Sequence, residues 1–423
     1  MIKKLSYNMR KYTVSNQVNS SQAIMSKTPI ADFLLETLNK NIISFHALPL
    51  YKGKSIINHN IAKKYLDLFG QEILNLELSM TSPFFDDFFF PNRIIREAQE
   101  LASKAFGSKR TFFITTGTTT SGEVCVDALS RNAHNSIFAI DRGCHKSLYF
   151  AIYKKNNDSY ILDNINICPE SDRYFVNINS ILNICKKSKK QHKPLNIILN
   201  ATSYDGVIYN IQKIMEICLE EYENINFIID EAWGAINYFH PFFKKFTAME
   251  TAKYFSKKGI KVSIISFQSG HKSLSVLRQG SFINVYTCDS IIKDIEKSIF
   301  KIHTTSPNYS ILASLDLSRW QMEIEGTELK ERSLRISRYI TKEINENPIF
   351  SIYKINDIPN IFKEYIKIDP TKISINFKLL KIKPRDIREL LYKKFGIYVS
   401  RITQSSLLFN IHIVLMRMML IVC

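Results

Sequence analysis

Between residues 111 and 290, short apolar runs alternate with helical patterns. The runs are "TFFIT", "SIFAI", "LNIILN", "NFIID" and "VSIIS", and helices such as "IQKIMEICLEEY" fall between them. A run that is apolar at nearly every position suits a strand covered on both faces, and helical crossovers are what parallel neighbours need. The expected fold class is therefore α/β, with a mostly parallel central sheet. In such sheets ligands gather beyond the carboxyl ends of the strands, so the chemistry belongs in the segments just after each run.

The flanks are less regular. "PNRIIREAQELASKAFG" predicts a helix with Ile94, Ile95, Ala98, Leu101, Ala102, Ala105 and Phe106 on one face, opened by Pro91 and closed by Gly107. Beyond about residue 310 the pattern reads as one long helix, followed by "KISINF", a "KPRDIRELLYKKFG" helix and "IYVS", as in a smaller α+β domain. The expected division is a flexible tail over 1–28, a linker segment over 29–75, a large domain over 76–310 and a partial small domain over 311–423.

Hydrophobic content of 45% supports a real core and excludes a disordered chain. The formal charge of +18 raises the possibility of a nucleic-acid partner, but the lysines are scattered among Asn and Ile and form no basic stripe. Seven cysteines without a CxxC pair indicate neither a disulfide framework nor a zinc site, which points to a reducing cytoplasm and no metal. The N-terminus lacks the apolar core of a signal peptide, and the apolar "IHIVLMRMMLIVC" is too short to span a bilayer, so no membrane partner is expected.

Four segments after strands carry chemistry. "TGTTTSGEVCVDAL" leads from "TFFIT" into a helix, and backbone N–H groups with hydroxyls around them make a phosphate cradle; an ordinary Thr/Ser N-cap is the plainer reading. A P-loop is excluded because Glu123 and Val124 stand where Lys and Ser/Thr must meet the phosphates and metal. "DRGCHKS" places His145 at a strand end, and "NFIID" ends on Asp230, a carboxylate that is costly to bury without a cation unless it merely caps the next helix. "QSGHKSLSVLRQGS" sets Lys272 between two apolar strands, where a desolvated lysine can form a Schiff base. Together they supply the parts of a pyridoxal 5'-phosphate site.

At these residues the chain resembles the bacterial-type ornithine/lysine/arginine decarboxylases, pyridoxal-phosphate enzymes of the type I (aspartate-aminotransferase) fold. The likeness runs from about Thr28 to Ile413 and includes "SFHALPLYKGKS", "DRGCHKS", "TSYDGVIYN", "IIDEAW", "FHPFFKKFTAM" and "HTTSPNYSILASLDLSR". It implies that Lys272 is the Schiff-base lysine, that Asp230 pairs with the pyridinium nitrogen and that His145 stacks on the ring. Thr118, Thr119, Ser269 and His271 would hold the phosphate, and Trp233 would wall the pocket. Thr304 or Thr305, with Thr305 the residue taken, would reach the cofactor phosphate of a neighbouring subunit, implying an obligate homodimer. The reaction implied is decarboxylation of lysine, ornithine or arginine to a diamine or agmatine, with Lys272 or His271 returning a proton to the α-carbon.

The chain departs from the family in places. "TTTSGEV" follows the cradle where Ser or Ala, Asn and Lys are usual, and Gly270 replaces a threonine. From about 414 the sequence "VLMRMMLIVC" leaves the family pattern, so the small domain is expected to be incomplete and a catalytically impaired homologue is the rival reading. Transamination on the same fold is a further rival.

Overall fold

A computed structural model describes residues 27–414, apart from 82, 133–134, 169–172, 354–357 and 400. The expected tail, except Lys27 and Thr28, and the divergent end after Val414 lie outside the described residues.

The first ten strands are β1 (Arg110–Ile114), β2 (Ile137–Asp141), β3 (Asp158–Leu162), β4 (Asn164–Cys168), β5 (Arg173–Val176), β6 (Leu195–Asn200), β7 (Val207–Tyr209), β8 (Ile225–Asp230), β9 (Ser263–Ser269) and β10 (Ser281–Tyr286). Seven of them form the central sheet in the order β1-β10-β9-β8-β6-β2-β3. Strands β9, β8, β6, β2 and β3 are mutually parallel, and β10 runs antiparallel to both β9 and β1. The mostly parallel α/β sheet read from the sequence is therefore present.

Both faces of this sheet are packed. Along β8, Phe227 and Ile229 enter one core cluster while Ile228 enters the other, because successive side chains of a strand point to opposite sides. That is why these strands are apolar throughout rather than alternating. Each fully buried side chain of this size contributes about 1.5–3 kcal/mol relative to exposure.

The helix expected from Pro91 begins instead at Ile94 and runs to Phe106. The reason is Asp86, 3% exposed, whose carboxylate accepts the N–H groups of Asn92 and Arg93 at 3.1 Å and of Ile95 at 2.9 Å. A carboxylate distant in sequence thus satisfies the free donors of the first turn, and proline is not needed there. At the other end Gly107, at φ +68°, ends the helix as expected.

A second sheet lies downstream. Its strands come from β11 (Ser351–Ile352), β12 (Ile366–Ile368), β13 (Lys372–Asn376), β14 (Arg401–Ile402) and β15 (Ser406–Asn410). The antiparallel order is β11-β13-β15-β14, while β12 leaves to pair with β7. The "IYVS" run does not itself pair through Val399; pairing starts at Arg401, where β14 meets Leu408.

The helix Tyr309–Glu346 connects the two sheets, and near its start Arg319 is fully buried. Its guanidinium donates to Asp316 at 2.7 Å and to Glu323 at 2.8 Å, and also to the Lys27 carbonyl. Asp316 in turn accepts the Ile30 N–H at 2.9 Å, fastening the helix Pro29–Leu38 to the long one. Removing one member of a buried pair strands the other charge. Asp316→Ala is expected to lower the unfolding free energy by about 3–5 kcal/mol in urea denaturation. Replacing both partners with apolar residues, Asp316→Leu with Arg319→Met, should recover most of the loss.

Candidate functional site

The carboxyl ends of β1, β2, β8 and β9 deliver the sequence-predicted residues to one region. Strand β8 ends on Asp230, which is 5% exposed. Its Oδ1 accepts the Ala232 N–H at 3.0 Å, so the side chain does shape the following turn, as the plainer reading held. That bond is insufficient. Burial, with the nearby Asp141, pushes the Asp230 carboxyl up to about 6, against the pull of Ala232, Lys272 and the His145 backbone.

Lys272 stands in the single-turn helix Gly270–Ser273 directly after β9, the strand next to β8. Desolvation lowers its pKa and the Asp230 charge opposes that shift, so the two groups feel one another across the strand ends. A lysine pushed toward neutrality is the better nucleophile. Its ammonium lies 4.5 Å from the centroid of the Trp233 ring, and Trp233 is itself braced edge-on by Tyr204 at 4.6 Å.

His145 precedes the helix Lys146–Tyr153, and its Nδ1 accepts the Ser147 N–H at 3.3 Å. The residue is exposed overall, and partial burial together with the Lys272 and Lys146 charges lowers its pKa. His271 packs beside Lys272, with Nδ1 directed at the Gly280 carbonyl at 3.4 Å.

In the cradle, the helix Gly117–Asn132 starts from a glycine at φ +84° with open space where a Cβ would sit. The hydroxyls divide by role. Thr120 bonds back to the Thr116 carbonyl at 3.2 Å and Ser121 reaches Ser281 at 2.8 Å, so both are used within the fold. Thr118 meets Ser269 hydroxyl to hydroxyl, joining the helix start to the end of β9. The Thr116 and Ser273 hydroxyls are buried without a partner among the described residues. The Thr116 hydroxyl, one residue before the start of the Gly117–Asn132 helix, fits an incoming phosphate. Thr119 is exposed. Thr305 is exposed in the loop between the helices Asp289–Ile302 and Tyr309–Glu346.

Lys272 and His271 line a cleft of about 450 Å³ with Arg332 and His412, and Lys272 also lines a smaller cavity shared with Trp233, Lys330, Asp369 and Lys372. Lys372 was missed from sequence. The only signal was a lysine heading an apolar strand immediately after "DPT". Among the described residues no group of three His, Cys, Asp or Glu is placed to hold a metal, and no helix is long and apolar enough to cross a membrane.

Comparisons with known proteins agree with this geometry. Arginine decarboxylase of Bacillus subtilis is 28% identical over 389 residues, covering 91% of this chain and 72% of the relative. The crystal structure of a Francisella novicida lysine decarboxylase superposes with a TM-score of 0.78 at 19% identity, over 93% of this chain and 58% of that one. The chain thus spans under two thirds of that solved enzyme. A pyridoxal-phosphate-bound putative aminotransferase from Clostridium difficile 630 gives a TM-score of 0.50 at 16% identity, over 90% of this chain and 84% of that one. These likenesses identify the type I fold of pyridoxal-phosphate enzymes. Residues 28–384 match the family described as Orn/Lys/Arg decarboxylase, major domain, and the chain belongs to that family.

Proposed function

We propose that this chain uses pyridoxal 5'-phosphate to decarboxylate a basic amino acid, arginine, lysine or ornithine, to agmatine or the corresponding diamine. The observation that carries the reading is Lys272 and Asp230 on adjacent parallel strand ends, each desolvated and each acting on the other. Bound pyridoxal phosphate supplies a carbonyl carbon for the substrate amine and a ring that accepts electrons from the breaking bond.

The chain's own residues do the rest. Lys272 would hold the cofactor covalently until substrate arrives. Asp230 would keep a proton on the ring nitrogen, which requires its carboxylate form. His145 would cover one ring face, with its pKa lowered by partial burial. The start of the helix Gly117–Asn132, with Thr118, Thr119, Ser269 and His271, would hold the phosphate; the unpartnered Thr116 hydroxyl fits there too. Trp233 would wall the pocket. When the bond between Cα and the carboxylate breaks and carbon dioxide leaves, Lys272 or His271 would return one proton to Cα.

The exposure of Thr305 suits a role in a second copy, and a homodimer or larger homo-oligomer is the assembly this reading favours. The six described cysteines are all free, five of them buried, which suits the cytoplasm. Amine products of this kind point to polyamine synthesis.

Purified protein mixed with pyridoxal phosphate is expected to show a visible absorbance band that borohydride traps on Lys272, located by peptide mapping. Carbon dioxide should then be released from at least one of the three amino acids. A bound cofactor without release from any of them, or a keto acid as the main product, would overturn the decarboxylase reading.

Asp230 gives a second test. A carboxyl raised from 3.8 to about 6 favours its protonated form in the folded chain, so its stabilising contribution is complete below pH about 4 and lost as pH rises through about 6. At pH 7.5 the ionised group then costs the cofactor-free chain up to about 3 kcal/mol. Asp230→Asn, neutral at every pH, is expected to be more stable than the parent by about 1–3 kcal/mol at pH 7.5 in cofactor-free urea denaturation, with no gain near pH 4. The same variant should retain cofactor poorly, because the protonated ring nitrogen loses its counter-charge.

A further inference from the structure

Trp233 carries two lysines. The Lys272 ammonium lies 4.5 Å from the ring centroid and the Lys372 ammonium 4.3 Å, although the first follows β9 of the central sheet and the second opens β13 of the other. Both line the smaller cavity. Lys372 is 6% exposed, yet its ammonium makes no hydrogen bond or ion pair among the described residues. The acid nearest in the lining, Asp369, is already committed. It meets Lys330 at 3.2 Å and accepts from the Thr371 hydroxyl at 2.7 Å and the Thr371 N–H at 2.9 Å. Asp205, which also attracts Lys372, is held by Arg401 through two bonds of 2.7 and 3.1 Å.

A largely buried ammonium set against aromatic faces has lost most of its hydration without gaining a hydrogen-bonded anion. Burial drops its pKa to about 8, which leaves it mostly charged at neutral pH. The cavity therefore holds a cation in want of a negative ligand group, one aromatic ring away from the lysine whose place on the cofactor carbonyl the substrate amine would take. In an amino acid the amino and carboxylate groups sit on the same carbon, so a cation that takes the carboxylate must stand close to the lysine that the substrate amine would displace from the cofactor. Lys372 meets that condition, and it comes from a different sheet.

We propose that Lys372 binds the α-carboxylate of the substrate amino acid, an assignment that rests on the decarboxylase reading. Holding the carboxylate fixes the direction of the bond to be broken relative to the electron-accepting ring. Loss of carbon dioxide removes the anion, and a cationic amine is then left facing Lys372 with no attraction to it, which favours product release.

The test compares Lys372→Met, which keeps the length and removes the charge, with Lys372→Arg, which restores a cation. Each full-length protein is loaded with pyridoxal phosphate, and loading is verified by absorbance. Spectral titration then gives the affinity for the amino acid that the parent decarboxylates and for the amine formed from it. Lys372→Met is expected to weaken amino-acid binding roughly 10- to 100-fold while changing amine binding less than about threefold, and Lys372→Arg to recover most of the loss. Equal weakening of both ligands, as a structural role would give, overturns the assignment while the decarboxylase reading stands. So does unchanged binding of both. If the parent loads cofactor but none of the three amino acids alters its spectrum or releases carbon dioxide, the decarboxylase reading falls and the assignment with it.

Discussion

The Asp230 carboxylate, buried at the end of β8, is poorly compensated, and the rest of the site answers to that deficit. One backbone N–H at 3.0 Å and a lysine on the next strand are its main support, while Asp141 adds a second negative group nearby. A carboxylate so placed is unfavourable in the chain alone and favourable once a cation docks against it. The surrounding low dielectric that raises its pKa also strengthens any charge pair formed there. Lys272 responds in the opposite sense, pushed toward the neutral amine by the same desolvation. Two groups shifted in opposite directions by one environment are what acid and base roles in a single pocket require.

Holding these groups in place is a task for the sheets. Five parallel strands fix the relative positions of Asp230, His145 and Lys272 through backbone ladders buried on both faces. The second sheet is tied to this frame by β12 pairing with β7 and by Arg173, 2% exposed, which donates to the carbonyls of Asp205 at 3.1 Å and Lys372 at 3.4 Å. Lys372 is thus set by backbone contacts, which leaves its ammonium free to serve the cavity.

The parts of this arrangement that were legible in the sequence are those with local causes. Apolar runs marked β1, β2, β6, β8 and β9, and the rule that ligands lie beyond strand ends singled out Asp230, His145 and Lys272 before any coordinates. What depends on distant residues was not legible. The helix start at Ile94 follows from Asp86, several residues upstream of the expected Pro91. Which hydroxyls of the Thr/Ser run are free depends on Ser281 and Ser269 across the sheet. Lys372 heads the strand "KISIN" with no local sign of a binding role, and only the packing of Trp233, Tyr204 and Arg173 around it sets its ammonium at the cavity.

Charge in the two cavities constrains how a basic substrate can lie. Among the described lining residues, Arg332 lies in the larger cavity, Lys330 and Lys372 in the smaller and Lys272 in both, while the one acid, Asp369, is matched by Lys330; burial lowers the pKa of His271 and His412 beside them. A substrate with one anionic and one distal cationic end would meet attraction at the first and repulsion at the second. Its carboxylate would be drawn in, and its side-chain cation would have to leave these cavities for a counter-charge elsewhere. Under the proposed function such a gradient favours the orientation that brings the α-amino group to the Lys272 end. On that proposal a net positive lining does not conflict with a cationic substrate, because it separates the carboxylate end from the distal cation.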